Sequence, residues 1–175
     1  IDAENFFLLP GTDITRMTVL EPGDILTAIR IPAKWAGAKF YFEKVADRNT
    51  WDFPLVNIAM VRQMDGDVVK DIRIAAGAVQ NTPKRLKVVE DTIKGQKVTP
   101  ELAQLAGTAA TRGARPLNYN HFKVPLLANL VSRALRSAYP PPQAAPKRTG
   151  GPNRPPGLHL AHRRPGRGLA QSSLG

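Results

Sequence analysis

The sequence predicts an α+β domain in which a small antiparallel sheet is followed by three helices packed against it. Apolar residues alternate with polar ones through residues 39–76, which is the period of half-buried strands. After Gly77 the apolar period changes to about 3.6, the period of an amphipathic helix. From Ser137 onward no apolar period remains. These three patterns of apolar residues divide the chain into a sheet region, a helical region and a tail.

Two short strands are expected before the main sheet. An aromatic and apolar segment, Asn5 to Pro10, ends at a turn-forming Pro-Gly pair. Alternation then favours strands at Arg16 to Leu20 and at Asp24 to Ile31, separated by a second Pro-Gly turn. Pro32 ends the second of these strands because proline has no amide hydrogen to donate to a strand ladder.

The main sheet is predicted from three longer strands. They are Lys39 to Ala46, Val56 to Met64 and Val68 to Ala76. A polar turn at residues 47–50 joins the first two, and Asp65-Gly66 is a strong hairpin signal between the last two. This spacing predicts a three-stranded antiparallel sheet.

Three helices are predicted after the sheet. Thr82-Pro83 supplies a hydroxyl cap and a first-turn proline for a helix that ends at Gly95. Thr99-Pro100 repeats that device for a helix through Leu102 to Arg112. A third helix is expected from about Asn120 to Arg136, with a proline tolerated in its first turn.

The tail from residue 137 to residue 175 contains eight of the 16 prolines, six basic residues and no acidic residue. Such a composition cannot build a packed core. Two interpretations remain open: a disordered basic tail that binds an acidic partner, and a reading frame shifted near Tyr139. The abruptness of the change favours the shifted frame, so the tail carries no functional argument.

Charge and composition exclude several classes of function. The net charge of +11 falls to +5 for residues 1–136, since 19 basic and 14 acidic residues remain there. This part of the chain has no predicted helix with clustered arginines, so nothing in it indicates nucleic-acid binding. The chain has no cysteine for a disulfide, zinc or iron–sulfur centre, and no apolar run approaches the roughly 20 residues of a bilayer span. Paired carboxylates, catalytic triads, phosphate loops and Gly-x-Gly-x-x-Gly are absent from the sequence. Because it begins Ile-Asp-Ala-Glu, we expect it to be the middle of a longer polypeptide.

Two residues are candidates for cofactor contact from their sequence context, and each also has a simpler structural interpretation. Lys44 lies in an aromatic strand, where its cation could meet an electron-rich cofactor ring or a phosphate, although many strand lysines only extend to solvent. Trp51 could stack on a ring or cover the edge of the core. From the sequence itself, Leu26 is explained as an ordinary core leucine. Arg48 and Asp52 are expected to tie the loop between the first two main strands by a salt bridge.

Several segments together resemble the flavoprotein subunit of the xanthine dehydrogenase and aldehyde oxidoreductase family of molybdenum hydroxylases, over about residues 5–136. The segments that carry the resemblance are Phe7-Leu-Leu-Pro-Gly11, Leu20-Glu-Pro-Gly-Asp-Ile-Leu26, Lys44 with its aromatic strand, Ala75-Ala-Gly-Ala78, Thr82-Pro83 and Leu130-Val-Ser-Arg-Ala-Leu135. The resemblance implies the end of a PCMH-type FAD domain at residues 1–36. A CO dehydrogenase flavoprotein C-terminal-like domain is implied at residues 37–136.

The resemblance also implies a site and partners. In this family a lysine at the strand position of Lys44 contacts FAD, the position of Leu26 lines the FAD site, and an aromatic residue at Trp51 is common in bacterial members. The molybdenum cofactor is expected in a large partner subunit, and [2Fe–2S] clusters in a small one. The family's flavin subunit relays electrons from the clusters through FAD to an acceptor, after oxidation of an aldehyde or N-heterocycle in the molybdenum subunit. A cytoplasmic location is expected, or a periplasmic one through a partner's export signal.

The sequence departs from the family in one respect. The Gly-rich loops that hold the FAD diphosphate are not in these 175 residues, so we expect the isolated chain to bind FAD weakly or not at all and to be inactive. Two alternative functions remain. A docking module would bind a partner subunit without flavin, and a basic nucleic-acid-binding protein would show binding that weakens steeply with salt.

Overall fold

The computed structural model describes residues 1–137, so the predicted tail lies outside the described residues except for Ser137. Its main feature is an antiparallel sheet in the order β1-β2-β3-β4. The strands are β1 (Lys39–Val45), β2 (Val56–Asp65), β3 (Val68–Gly77) and β4 (Lys84–Arg85). The three long strands confirm the predicted sheet, and β4 adds a short fourth strand at its edge.

Three helices follow the sheet: α1 (Lys87–Ile93), α2 (Pro100–Ala110) and α3 (Lys123–Arg136). Thr99 caps α2 as predicted, because its hydroxyl accepts a hydrogen bond of 3.2 Å from the Leu102 amide. Pro125 lies in the first turn of α3, also as predicted. No helix within residues 1–137 is long and apolar enough to cross a membrane.

The core lies between one face of the sheet and the helices. Alternate residues of β2 and β3, such as Ile58 and Ile74, are fully buried there. They pack with apolar residues of all three helices, including Val89, Ala106 and Leu130. The residues between these buried strand positions point to the opposite face of the sheet, because strand side chains alternate. All three helices pack on the first face, so they leave the opposite face uncovered.

The predicted start of the first helix is wrong. Lys84 and Arg85 pair with Ala76 and Ala75 as β4, and the Leu86 amide donates to the Ile74 carbonyl at 2.9 Å. Pairing with the sheet satisfies these backbone groups, so the helix begins only at Lys87 and Thr82 does not cap it. The local capping signal was overridden by a tertiary contact.

The two strands predicted before Pro32 do not form. Residues 1–38 contain 3₁₀ turns at Ala3–Asn5 and Ala33–Trp35 and one isolated bridge between Phe7 and Thr18. A strand needs a neighbour to satisfy its backbone, and the described residues offer none to residues 24–31. The side chains of Ile25 and Ile29 are each 82% exposed as a result.

Candidate functional site

The side of the sheet away from the helices forms a continuous surface, which we call the open face. Cross-strand register arranges it in three rows. The residues of the open face are Phe40, Val61 and Arg73 in the first row, Phe42, Ala59 and Ala75 in the second, and Lys44, Asn57 and Gly77 in the third. Because these residues share one face, their side chains form a single platform.

The first two rows make a shallow apolar concavity of about 630 Å³. Phe40 and Phe42 remain 59% and 67% exposed, and alanines on the two neighbouring strands leave the space above them open. Arg73 and Arg85 border the concavity. Its size lies within the range of about 300–1,000 Å³ typical of small-molecule sites.

The third row places a cation beside this apolar surface. The Lys44 ammonium donates a hydrogen bond of 2.7 Å to the backbone carbonyl of Asp52. The carbonyl itself carries no charge, the Asp52 carboxylate offsets part of the ammonium's charge through a coulombic interaction, and the ammonium has two further hydrogens to donate. Next to it, the Asn57 side chain lies against Gly77 so closely that a Cβ at Gly77 would overlap the amide oxygen. The end of the platform therefore offers one cation and one amide.

The loop between β1 and β2 is held beside Lys44 by Asp52. The Asp52 carboxylate accepts hydrogen bonds from the backbone amides of Arg48, at 3.1 Å, and Phe53, at 2.9 Å. It also pairs with the Arg48 guanidinium at 3.5 Å, which confirms the predicted salt bridge. The Arg48 side chain, and then the backbone amides, lower the pKa of Asp52 against the opposing effect of desolvation. A charged Asp52 thus maintains the loop conformation.

The three predicted cofactor contacts lie in different settings. The Lys44 side chain is on the open face, and Trp51 is next to Asp52 in the adjoining loop with its indole 94% exposed. Lys44 and the Trp51 loop are thus brought together. Leu26 is 55% exposed in the 25–31 segment, which has no regular secondary structure, and no hydrogen bond among residues 1–137 ties that segment to the sheet. The structure leaves their roles in cofactor binding as predictions.

Sequence reasoning missed the contribution of Asn57 and Gly77. Both belong to the row of Lys44 only through cross-strand register, which no local pattern of residues reveals. The outward direction of Phe40 and Phe42, by contrast, follows from their alternation with Tyr41 in β1. Lys84, Arg85 and Lys87 form a basic cluster at the start of the helical region. Its positive charge is partly neutralised, since Arg85 pairs with Glu90 and Glu4, and Lys87 pairs with Glu4.

The arrangement can hold a flat aromatic group whose electron-rich or anionic edge lies beside Lys44. It contains no carboxylate or imidazole placed to transfer a proton, and no group of acidic, histidine or cysteine side chains within residues 1–137 could hold a metal ion. The chemistry available to these residues is therefore binding, orientation and electrostatic stabilisation.

Residues 41–138 match the family model described as the CO dehydrogenase flavoprotein C-terminal domain. The chain is 32% identical over 143 residues to the carbon monoxide dehydrogenase medium chain of Hydrogenophaga pseudoflava, a match covering 79% of this chain and 48% of that one. It is 28% identical to the aldehyde oxidoreductase FAD-binding subunit PaoB of Escherichia coli K12, covering 79% of this chain and 40% of the relative. The chain therefore spans less than half the length of either relative.

The same likeness is found in three dimensions. The structure matches carbon monoxide dehydrogenase of Hydrogenophaga pseudoflava, solved without the Mo-pyranopterin moiety of its molybdenum cofactor, with a TM-score of 0.62 and 32% identity. That match covers 68% of this chain and 42% of the solved chain. Sequence and fold thus point to the same group of proteins.

Proposed function

The chain belongs to the family of the CO dehydrogenase flavoprotein C-terminal domain, and on that premise we propose that its open face forms one wall of an FAD site. The relatives named above are a medium chain and an FAD-binding subunit of oxidoreductases. We propose that the chain is the corresponding part of an FAD subunit, acting within an oxidoreductase complex. The observation that supports this most strongly is Lys44, a cation fixed by a neutral carbonyl at the edge of an aromatic platform.

The residues of the open face fit a flavin. Phe40 and Phe42 supply apolar surface for a ring, and Ala59 and Ala75 leave room above the sheet. Lys44 would stabilise negative charge at the edge of the ring or on a phosphate. FAD supplies the redox chemistry when it is bound, and the protein contributes position and electrostatics.

Trp51 and Leu26 are proposed as further contacts. An indole that is 94% exposed on a loop fixed by Asp52 is available to stack on a ring at small entropic cost. Leu26 lies in a segment whose apolar side chains remain exposed, so covering it with a cofactor or another domain would remove apolar surface from water.

We propose that the whole protein relays electrons from iron–sulfur clusters through FAD to an acceptor, while a partner subunit oxidises an aldehyde or N-heterocycle at a molybdenum cofactor. A large molybdenum-cofactor subunit and a small iron–sulfur subunit are the proposed partners. The absence of cysteine from this chain is consistent with clusters held elsewhere. The chain's own share would be to close one side of the flavin site.

A titration of FAD with the full chain, followed by flavin fluorescence, tests the proposal. With one wall alone, we expect a dissociation constant weaker than about 1 μM. Lys44→Met should weaken binding of both FAD and riboflavin, since both contain the flavin ring. Lys97→Met is the matched control, because Lys97 pairs with Asp67 near the opposite end of β3.

Two results would contradict the proposal in different ways. A submicromolar dissociation constant would mean that the chain holds a complete site. Equal affinities for the Lys44 and Lys97 variants would remove Lys44 from the site. Quenching of Trp51 fluorescence by riboflavin but not by AMP would support ring contact, and Trp35, which is buried, provides the internal reference.

A docking module without flavin is the second candidate. The observation that favours it is the exposure of Ile25, Ile29 and Ile31, at 82%, 82% and 74%, in one segment without regular secondary structure. Such a run of exposed apolar side chains is typical of a surface that another domain or subunit covers. This candidate predicts that riboflavin changes neither flavin nor tryptophan fluorescence at any concentration of the chain.

A further inference from the structure

A second cavity lies at the other end of β1, away from the Lys44 row. Its volume is about 340 Å³, and backbone of residues 36–38 forms one side. Lys39, Arg62 and Lys70 line it together with Gln63 and Met64, and the lining contains no carboxylate. Three cations therefore surround a space that offers them no anion.

Arg62 is the unusual member of this group because it is buried. It is 6% exposed, and its Nη1 and Nη2 donate to the carbonyls of Leu135 and Ser137 at 2.7 and 2.9 Å. Its Nε is buried and has no hydrogen-bond acceptor among residues 1–137. Desolvation lowers the pKa of Arg62, which indicates that burial works against its charge. Two carbonyls solvate a guanidinium, but they do not neutralise it.

Lys39 adds a second unfavourable charge. It lies directly opposite Arg62 in the register of β1 and β2, and like charges at opposed positions destabilise a sheet. Neither Lys39 nor Lys70 forms an ion pair with any carboxylate in the described part of the chain. Nearby cations behave differently, since Lys34, Arg73 and Lys94 all pair with the carboxylate of Asp71.

We propose that this cavity is a binding site for a small oxyanion, a phosphate group, held by Lys39 and Lys70 and attracted by the buried charge of Arg62. A phosphate would accept charge-assisted hydrogen bonds from the lysines and relieve the repulsion between the opposed cations. The cavity has room for about ten water molecules, so the phosphate can carry a small organic substituent. The site is separate from the open face, so the phosphate proposal and its test do not depend on whether the chain binds a flavin.

Thermal denaturation of the full chain in inorganic phosphate tests the proposal. Sodium chloride holds the ionic strength constant across the series, so that general screening does not change. We expect a saturable rise in Tm, because a ligand that binds only the folded state stabilises it. Lys39→Gln and Lys70→Gln should each raise the half-saturating phosphate concentration about tenfold, as expected for losing one charge-assisted hydrogen bond. These variants leave the contacts of Arg62 with the end of α3 intact.

Arg112→Gln is the matched control, since Arg112 is exposed, lines none of the cavity and loses the same charge. Its half-saturating concentration should equal that of the original chain. In ¹H–¹⁵N spectra, phosphate should shift the backbone amides of Lys39, Arg62 and Lys70. A Tm that does not respond to phosphate, an equal response in the lysine and Arg112 variants, or amide shifts confined to other residues would each overturn the proposal.

Discussion

The Glu90 carboxylate accepts hydrogen bonds from both Nε and Nη2 of Arg85, at 2.8 and 2.6 Å, although the Glu90 side chain is almost completely buried. The same carboxylate accepts a hydrogen bond of 2.8 Å from the Ile74 amide. One side chain of α1 therefore fastens β3 and β4 together. The Glu90 carboxylate thus replaces the hydration that it loses on burial with three charge-assisted hydrogen bonds, two from Arg85 and one from the Ile74 amide.

Glu90→Gln should lower the free energy of unfolding by about 2 kcal/mol, because it weakens the charge-assisted hydrogen bonds from Arg85 and Ile74, although Arg85 keeps its ion pair with Glu4. Urea denaturation of the full chain measures the change. Glu101→Gln serves as the control, since Glu101 is exposed in the first turn of α2 and its charge there contributes at most about 1 kcal/mol. Equal losses for the two variants would show that the buried pair is not an anchor of the sheet.

Gly107 allows close packing between α2 and α3. A Cβ added at Gly107 would lie 2.5 Å from the Ala128 carbonyl oxygen, and a backbone atom cannot swing aside. Gly107→Ala should therefore destabilise the chain by about 2 kcal/mol, despite the better helix propensity of alanine. Gly11→Ala is the control, since nothing lies within 4 Å of a Cβ there. A chemical denaturation experiment in which Gly107→Ala is neutral would refute the tight crossing.

Ionisation of Tyr41 should lower the free energy of unfolding at high pH. Burial, followed by the hydrogen bond that its hydroxyl donates to Glu43, raises the pKa of Tyr41 to about 12. An unfolded tyrosine ionises near pH 10, so this contribution is complete below about pH 10 and is lost as the pH rises towards 12. Tyr41→Phe should therefore flatten the fall in unfolding free energy over that interval. Tyr119→Phe, at a residue 94% exposed, should retain the original slope in the same urea series.

The sheet was predictable because its information is local. Alternation in residues 39–76 and the Asp65-Gly66 turn specify three strands, and burial of alternate side chains in β2 and β3 confirms the pattern. The Thr99-Pro100 cap was equally local and was confirmed. Thr82-Pro83 failed because pairing of Lys84 and Arg85 with β3 depends on a contact distant from the cap itself.

The candidate site was only partly predictable for the same reason. Alternation along β1 puts Lys44 on the face of Phe40 and Phe42, whereas its neighbours Asn57 and Gly77 follow from register alone. The cationic cavity at Arg62 gave no sequence signal, because its members come from separate strands and the absence of a carboxylate is visible only in three dimensions. Strands 16–20 and 24–31 were predicted from alternation, which cannot reveal that residues 16–20 form only an isolated bridge and that residues 24–31 have no neighbouring strand among residues 1–137.

The central claim is that the Lys44 end of the open face contacts the flavin ring. Amide shifts of the full chain in ¹H–¹⁵N spectra, recorded as FAD and riboflavin are added, detect even weak binding and identify the residues involved. Both ligands should shift the amides of Lys44, Asn57 and Gly77 together with the Trp51 indole, and AMP should not. Lys44→Met should reduce these shifts at equal ligand concentration. Shifts confined to residues outside the open face, or identical shifts for the Lys44→Met and Lys97→Met chains, would contradict the claim.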